Sequence, residues 1–179
     1  MKALVFSLLV LFVGCTGGAP RFNGIDPPPE VFGADLAPID LLKARIAASN
    51  AHDWAAWEAL HTETCFRTAP ELKTRLDGRA EMRAAIERLV TAFPDYHVSL
   101  IRAVASGPWV AAELRSYGSF ENALPRPGKL SIPATGKSFA QTWTAFIRIE
   151  EGRIAEIHEA YDQQDLNDQL LGTALPKPW

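Results

Sequence analysis

His158 and Asp162 stand four residues apart, at the end of the β-rich run Arg153–Tyr161 and just ahead of a short helical pattern. Side chains alternate along a strand, so this spacing sets an imidazole and a carboxylate on one face. On the concave face of a curved sheet the two would form an acid–base pair. As a general base, Asp162 needs surroundings that desolvate it and raise its pKa; its other reading is the cap of a helix beginning near Asp165. His158 reads as a proton shuttle or orienting donor, or as a satisfied polar group at the sheet rim.

Further candidates lie on neighbouring runs. Gln141 and Trp143 share a strand face, where an amide could bind a substrate carbonyl and an indole could stack on a ring. Glu113, Arg115 and Tyr117 share a face of the preceding strand, a charged alternation typical of exposed sheet, with Tyr117 as a hydrogen-bond donor. Trp54 and Trp57 are three apart on one helix face, core residues of which Trp57 could also line a cavity. Cys65 reads as a buried, inert thiol.

The elements that must position these groups follow from periodicity. Ile39–Leu60 carries a helical pattern (Leu42, Ile46, Trp54, Trp57), broken in two at Asn50-Ala51-His52-Asp53 with Asp53 as the second N-cap. Thr62–Thr68 reads as a short strand and Arg79–Phe93 as a helix stopped by Pro94. Four long strands follow: Tyr96–Ser106, Trp109–Glu121, Phe139–Ile149 and Arg153–Tyr161. The last two are joined by the tight turn Glu150-Glu151-Gly152, and Asn122–Lys137 reads as a loop. A final helix covers Leu166–Leu171. Helices first and strands later imply an α+β fold: a curved antiparallel sheet forming a cone, with helices packed on its concave face. The open end of such a cone is a natural small-molecule pocket.

The chain begins with Lys2 and the apolar run Ala3–Val13, too short to span a bilayer, which takes roughly 20 residues, and of signal-peptide character. It ends in Phe12-Val13-Gly14-Cys15, similar to a bacterial lipobox with Cys15 as the lipidated residue. Residues 1–14 then read as a lipoprotein signal and 15–38, rich in Pro and Gly, as a tether. Residues 39–172 form the domain and 173–179 a tail. The expected location is the cell envelope, with Thr16 after the cysteine favouring the periplasmic face of the outer membrane. The membrane is reached through the lipid alone.

Composition narrows the function classes. The net charge is −3 and no Lys/Arg cluster marks a nucleic-acid partner. Gly136-Lys137-Ser138 lacks the upstream glycine of a phosphate loop, since Ser131 occupies that place. The four His show no metal-ligand spacing.

Five short pieces occur in order: Asn50-Ala51-His52-Asp53, Gly78-Arg79-Ala80-Glu81, Phe93-Pro94-Asp95-Tyr96-His97, Thr135-Gly136-Lys137, and Glu151-Gly152-Arg153-Ile154-Ala155-Glu156 leading to Asp162. Together they resemble the SnoaL-like polyketide cyclase family of the nuclear-transport-factor-2-like superfamily, over roughly Leu41–Gly172. The resemblance implies a cone-shaped pocket with neither metal nor organic cofactor, and a carboxylate near the end of the last strand as general acid–base. Asp162 matches that position; Glu159 lies where some relatives place an acidic residue, and His158 where the family often has Trp or His.

Three functions compete. The first is cofactor-free proton-transfer chemistry on a small, largely apolar carbonyl compound. An exported chain disfavours a polyketide cyclase in the strict sense, because those act on intracellular intermediates. The second is a non-catalytic, tethered ligand-binding module. The third is a protein-interaction domain or homodimer built on the outer sheet face, which a markedly apolar outer face would favour.

Overall fold

The computed structural model describes residues 30–32, 37–72 and 75–172. The leader, Cys15 and the tail 173–179 lie outside these residues, as does most of the segment read as a tether. The elements are β1 (Glu30–Phe32), α1 (Ala37–Asn50), α2 (Trp54–Ala59), β2 (His61–Thr68), β3 (Leu76–Asp77), α3 (Arg79–Ala92), β4 (His97–Ser106), β5 (Trp109–Ser119), β6 (Leu124–Arg126), β7 (Lys129–Ile132), β8 (Ser138–Glu150), β9 (Arg153–Ala160) and α4 (Gln163–Leu171). Seven strands form one sheet in the order β1-β4-β5-β8-β9-β2-β3, and β6–β7 form a separate hairpin.

This is the expected α+β fold with a curved, mostly antiparallel sheet. Two pairings depart from the antiparallel rule: β1 runs parallel to β4, and β2 runs parallel to β9. The second matters for the site, because it lays Arg67 beside Ile157 at the strand that ends near Asp162. Two further differences are local. Three residues of the expected tether, Glu30–Phe32, pair with β4, and the expected loop at 122–137 contains the β6–β7 hairpin.

The quoted sequence pieces have mechanical roles. Asn50 ends α1 and its amide acts like a strand partner for β4, donating to the Val98 carbonyl at 2.8 Å and accepting from the Val98 N–H at 3.0 Å. Asp53 caps α2 through the Ala56 N–H at 3.0 Å. Glu81, in the first turn of α3, accepts from the Asp77 N–H at 2.9 Å. Asp95 accepts from both the N–H and the hydroxyl of Ser119, fixing the chain between α3 and β4 to the end of β5. Glu151 and Gly152 both have positive φ, 49° and 72°, the geometry of a two-residue hairpin turn whose twist matches the strands it joins.

The core lies between α1–α2 and the inner sheet face. Ile39, Leu42 and Ile46 of α1, with Trp57 of α2, pack on Leu100, Val110, Leu114, Trp143, Ile147, Ile154 and Ile157. A smaller cluster of Phe93, Phe120, Phe139 and Leu170 closes the end where α3 and α4 meet the sheet. Of α3's apolar residues, Met82 and Ala92 are buried, whereas Ile86, Leu89 and Val90 are half-buried. That helix covers β2 and the hairpin at the edge, while α1 takes the centre of the sheet.

Candidate functional site

The direction of each side chain on β9 is decided by a bulge. Glu156 pairs with Arg148 and Ile154 with Ile149, leaving Ala155 as the extra residue. A single inserted residue flips every side chain beyond it to the other face. Ile154 and Ile157 therefore both point into the core, and Glu159 follows Ile157 inward, opposite Ala145. His158 pairs with Phe146 and points outward.

Glu159 is the centre of a charged network on the inner face. Its side chain is only 8% exposed, and its Oε2 accepts from Arg67 Nη2 at 2.7 Å. Arg67 Nη1 lies 3.0 Å from Glu71 Oε1, and the Tyr161 hydroxyl donates to Glu71 Oε2. Burial works against the Arg67 charge, yet Glu159 and Glu71 outweigh it and hold the guanidinium above its usual pKa. Burial, then the bond to the Glu71 carboxylate, pushes the Tyr161 phenol up. Burial and the Glu159 charge push Tyr96 up to about 12. Both tyrosines are therefore protonated donors at neutral pH.

Deeper in, His61 is fully buried and stacked on Trp57, with ring centroids 3.8 Å apart. Its Nδ1 lies 2.7 Å from the Trp57 carbonyl, and Arg45 Nε approaches its Nε2 at 3.3 Å. Burial and the Arg45 charge lower the imidazole from 6.5 to about 3. The unfolded chain therefore binds a proton between these values where the folded chain does not. His61 contributes stability that is present above pH 6.5 and is lost as pH falls towards about 3, with a slope of at most ~1.4 kcal/mol per pH unit. We expect His61→Gln to flatten the acid limb of stability between pH 6.5 and 4 in urea unfolding; an unchanged slope would remove His61 from that role.

The sequence candidates are not brought together. The expected His158–Asp162 pair is absent. Asp162 is the exposed N-cap of α4, with Oδ1 accepting from the Asp165 N–H at 3.0 Å. His158 sits on the outer face, held by Thr68 Oγ1 at 3.0 Å and Glu156 Oε2 at 3.2 Å. The bulge and the end of β9 at Ala160 separate the two residues, so the four-residue rule does not carry across them. Tyr117 is also on the outer face, stacked with His97 at 5.2 Å. Gln141 and Trp143 do share the buried inner face of β8, as their spacing predicts. Gln141 Nε2, however, donates to the Asp162 carbonyl at 2.8 Å and so ties α4 to the sheet. Trp57 is fully buried beneath Arg45. Cys65 is buried against Met82, and burial pushes its thiol up.

Arg67, Glu71, Tyr161, Tyr96 and Arg45 escaped the sequence reading. Arg45 alone left a visible signal, a charge inside the apolar stripe Ile39, Leu42, Ile46. Among the described residues, no group of three His, Cys, Asp or Glu is placed to hold a metal ion, and no helix is long and apolar enough to cross a membrane.

Comparison with known proteins agrees with this architecture. The family model of SnoaL-like polyketide cyclases matches residues 39–170. The aklanonic acid methyl ester cyclase DnrD of Streptomyces peucetius is 34% identical over 146 residues, 79% of this chain and 92% of that protein. The corresponding cyclase DauD of Streptomyces sp. strain C5 is also 34% identical, over 83% of its length. Among solved structures, a putative SnoaL-like polyketide cyclase from Jannaschia superposes with a TM-score of 0.68 at 16% identity, covering 86% of this chain and 100% of that one. By its match to the family model over residues 39–170 and its 34% identity to these cyclases, the chain belongs to the SnoaL-like polyketide cyclase family.

Proposed function

We propose that this domain is a cofactor-free acid–base catalyst acting on a small, largely apolar carbonyl compound, with Glu159 as its proton-accepting carboxylate. The observation that carries this reading is the setting of Glu159. It is buried on the inner face, anchored through Oε2, and its Oε1 makes no hydrogen bond among the described residues. Arg67 fixes the carboxylate through Oε2, so the lone pair on Oε1 is free to take a proton from the carbon beside a carbonyl. The enolate oxygen then needs a donor. Trp143, on the same sheet face, buries an indole N–H with no acceptor. In an aldol-type ring closure the enolate carbon bonds to a second carbonyl carbon, and the new alkoxide takes back the proton that Glu159 holds. Substrate and product are isomers, and nothing else is consumed.

The relatives' names supply the first probe. Aklanonic acid methyl ester is incubated with the full chain in D2O, and the product is followed by chromatography and mass spectrometry. A product of altered retention, or deuterium incorporated at the acidic carbon, supports the reading. If this ester, its free acid and a series of related β-dicarbonyl esters and acids show neither, the non-catalytic ligand-binding module takes its place.

The sequence also supports a working position at a membrane surface, with Cys15 as the lipidated residue. Cys15→Ser is expected to move the protein from the membrane fraction to the soluble fraction. A wild-type protein already soluble in its host would end the tethering proposal.

The outer sheet face favours a second copy of the chain as partner. Val104, Ala111, Phe146 and His158 are cross-strand neighbours in one row, and Val104 and Phe146 are 47% and 57% exposed. Two open hollows flank this row, one of about 500 Å3 lined by Trp109, Phe146 and His158, the other of about 320 Å3. The ion pairs Arg102–Glu113 and Arg148–Glu156 border it on either side, an apolar centre with a polar rim. A dimer through this face is expected to dissociate in Phe146→Glu, as read by light scattering; a monomeric wild type would exclude it.

A further inference from the structure

The buried face of α1 is apolar except for Ser49 and Arg45, and Arg45 is only 9% exposed. A guanidinium taken out of water needs compensation. Its Nε donates to His61 Nε2 at 3.3 Å. The other imidazole nitrogen, Nδ1, faces the Trp57 carbonyl, which can only accept, so Nδ1 carries the hydrogen and Nε2 is the bare acceptor. His61 is thus a neutral partner that orients Arg45 without balancing its charge. The Trp57 ring, 5.9 Å from the guanidinium carbon, contributes a π face. Among the described residues no carboxylate comes within ion-pair distance of Arg45, and neither Nη atom has a hydrogen-bond partner. Glu159 is near enough to act on its charge but is bonded to Arg67. The interior therefore holds two guanidinium groups against one buried carboxylate, with Glu71 less buried at 32% exposed. The indole N–H groups of Trp57 and Trp143 are also buried without acceptors. The Arg45 Nη atoms and these two indole N–H groups are donors, and an anionic, oxygen-rich partner would satisfy them.

We infer that Arg45 anchors a carboxylate of the substrate through its two Nη atoms, so that the site takes a carbonyl compound bearing a free acid in preference to its neutral ester. The planar fork of Arg matches two carboxylate oxygens at once. This inference rests on the Glu159 site and deepens it: the carboxylate docks on Arg45 while the acidic carbon faces Glu159.

The test measures calorimetric binding of 2-naphthoate and of methyl 2-naphthoate to the full chain. Wild type is expected to bind the acid ~10-fold or more tightly than the ester, the range of a hydrogen bond to a charged group. Arg45→Met, of similar volume without charge, erases that preference, so that the acid binds no more tightly than the ester in the same variant. Arg45→Lys keeps the charge without the fork, retains part of the preference and serves if the Met variant does not fold. Equal binding of acid and ester, binding of neither, or a preference that survives in Arg45→Met overturns the inference. Glu159→Gln separates it from the base assignment. A Glu159→Gln protein that still turns over substrate but discriminates acid from ester sinks the base alone. One that loses turnover, beside a wild type that does not discriminate, sinks the anchor alone.

Discussion

Glu159→Gln is expected to lower the turnover of any substrate by about 10²–10⁴-fold, the contribution typical of a positioned general base. The amide is nearly isosteric, and its oxygen still accepts from Arg67 Nη2 as the carboxylate does at 2.7 Å. The charge is lost although the hydrogen bond survives. Arg67 keeps its pair with Glu71 at 3.0 Å, so the melting temperature should fall, but less than in Arg67→Met. Turnover is compared at a temperature where both proteins are folded. Substrate affinity should change much less than turnover if Glu159 acts, as proposed, on the reacting proton. Asp162→Asn is the informative companion, since Asn is as good an N-cap as Asp and the bond to the Asp165 N–H survives. If Asp162→Asn abolishes activity and Glu159→Gln does not, the base is Asp162 and the inner-face assignment fails.

Arg67→Met carries the largest expected stability effect. Arg67 lies between Glu159 and Glu71, and its removal strands the 8%-exposed Glu159 carboxylate without a cation in contact. Breaking one side of a buried ion pair costs about 3–5 kcal/mol, because the remaining charge is left desolvated and unpaired. The double variant Arg67→Met/Glu159→Met buries neither charge and should recover most of that loss. Urea unfolding of the two variants beside wild type reads the difference directly. A single variant that loses less than about 1 kcal/mol would show that water screens the pair as it does at a surface, and Glu159 would then be a poorer candidate for a desolvated site.

The alternation of β5 and β8 could be read from residue types, and the structure keeps it: Gln141 and Trp143 share the inner face, while Glu113, Arg115 and Tyr117 share the outer. The break between α1 and α2 at Asn50–Asp53 was equally legible, because Asp53 caps locally and Asn50 ends its own helix. Local chemistry of this kind needs no knowledge of distant residues. The catalytic candidates were different. His158 and Asp162 satisfied a spacing rule that holds only for an unbroken strand, and the unpaired Ala155 and the end of β9 at Ala160 broke it.

The sequence by itself determined the α+β class, the family resemblance, the four long strands and the helix caps, since each depends on periodicity or on side chains within a few positions of one another. Only the tertiary structure decided which carboxylate faces the interior. That choice turned on a one-residue bulge against β8 and on the parallel pairing of β2 with β9, which brings Arg67 to Glu159 across 92 positions of chain. Neither feature has a local sequence signature, because register is set by packing one whole face of a sheet against its core.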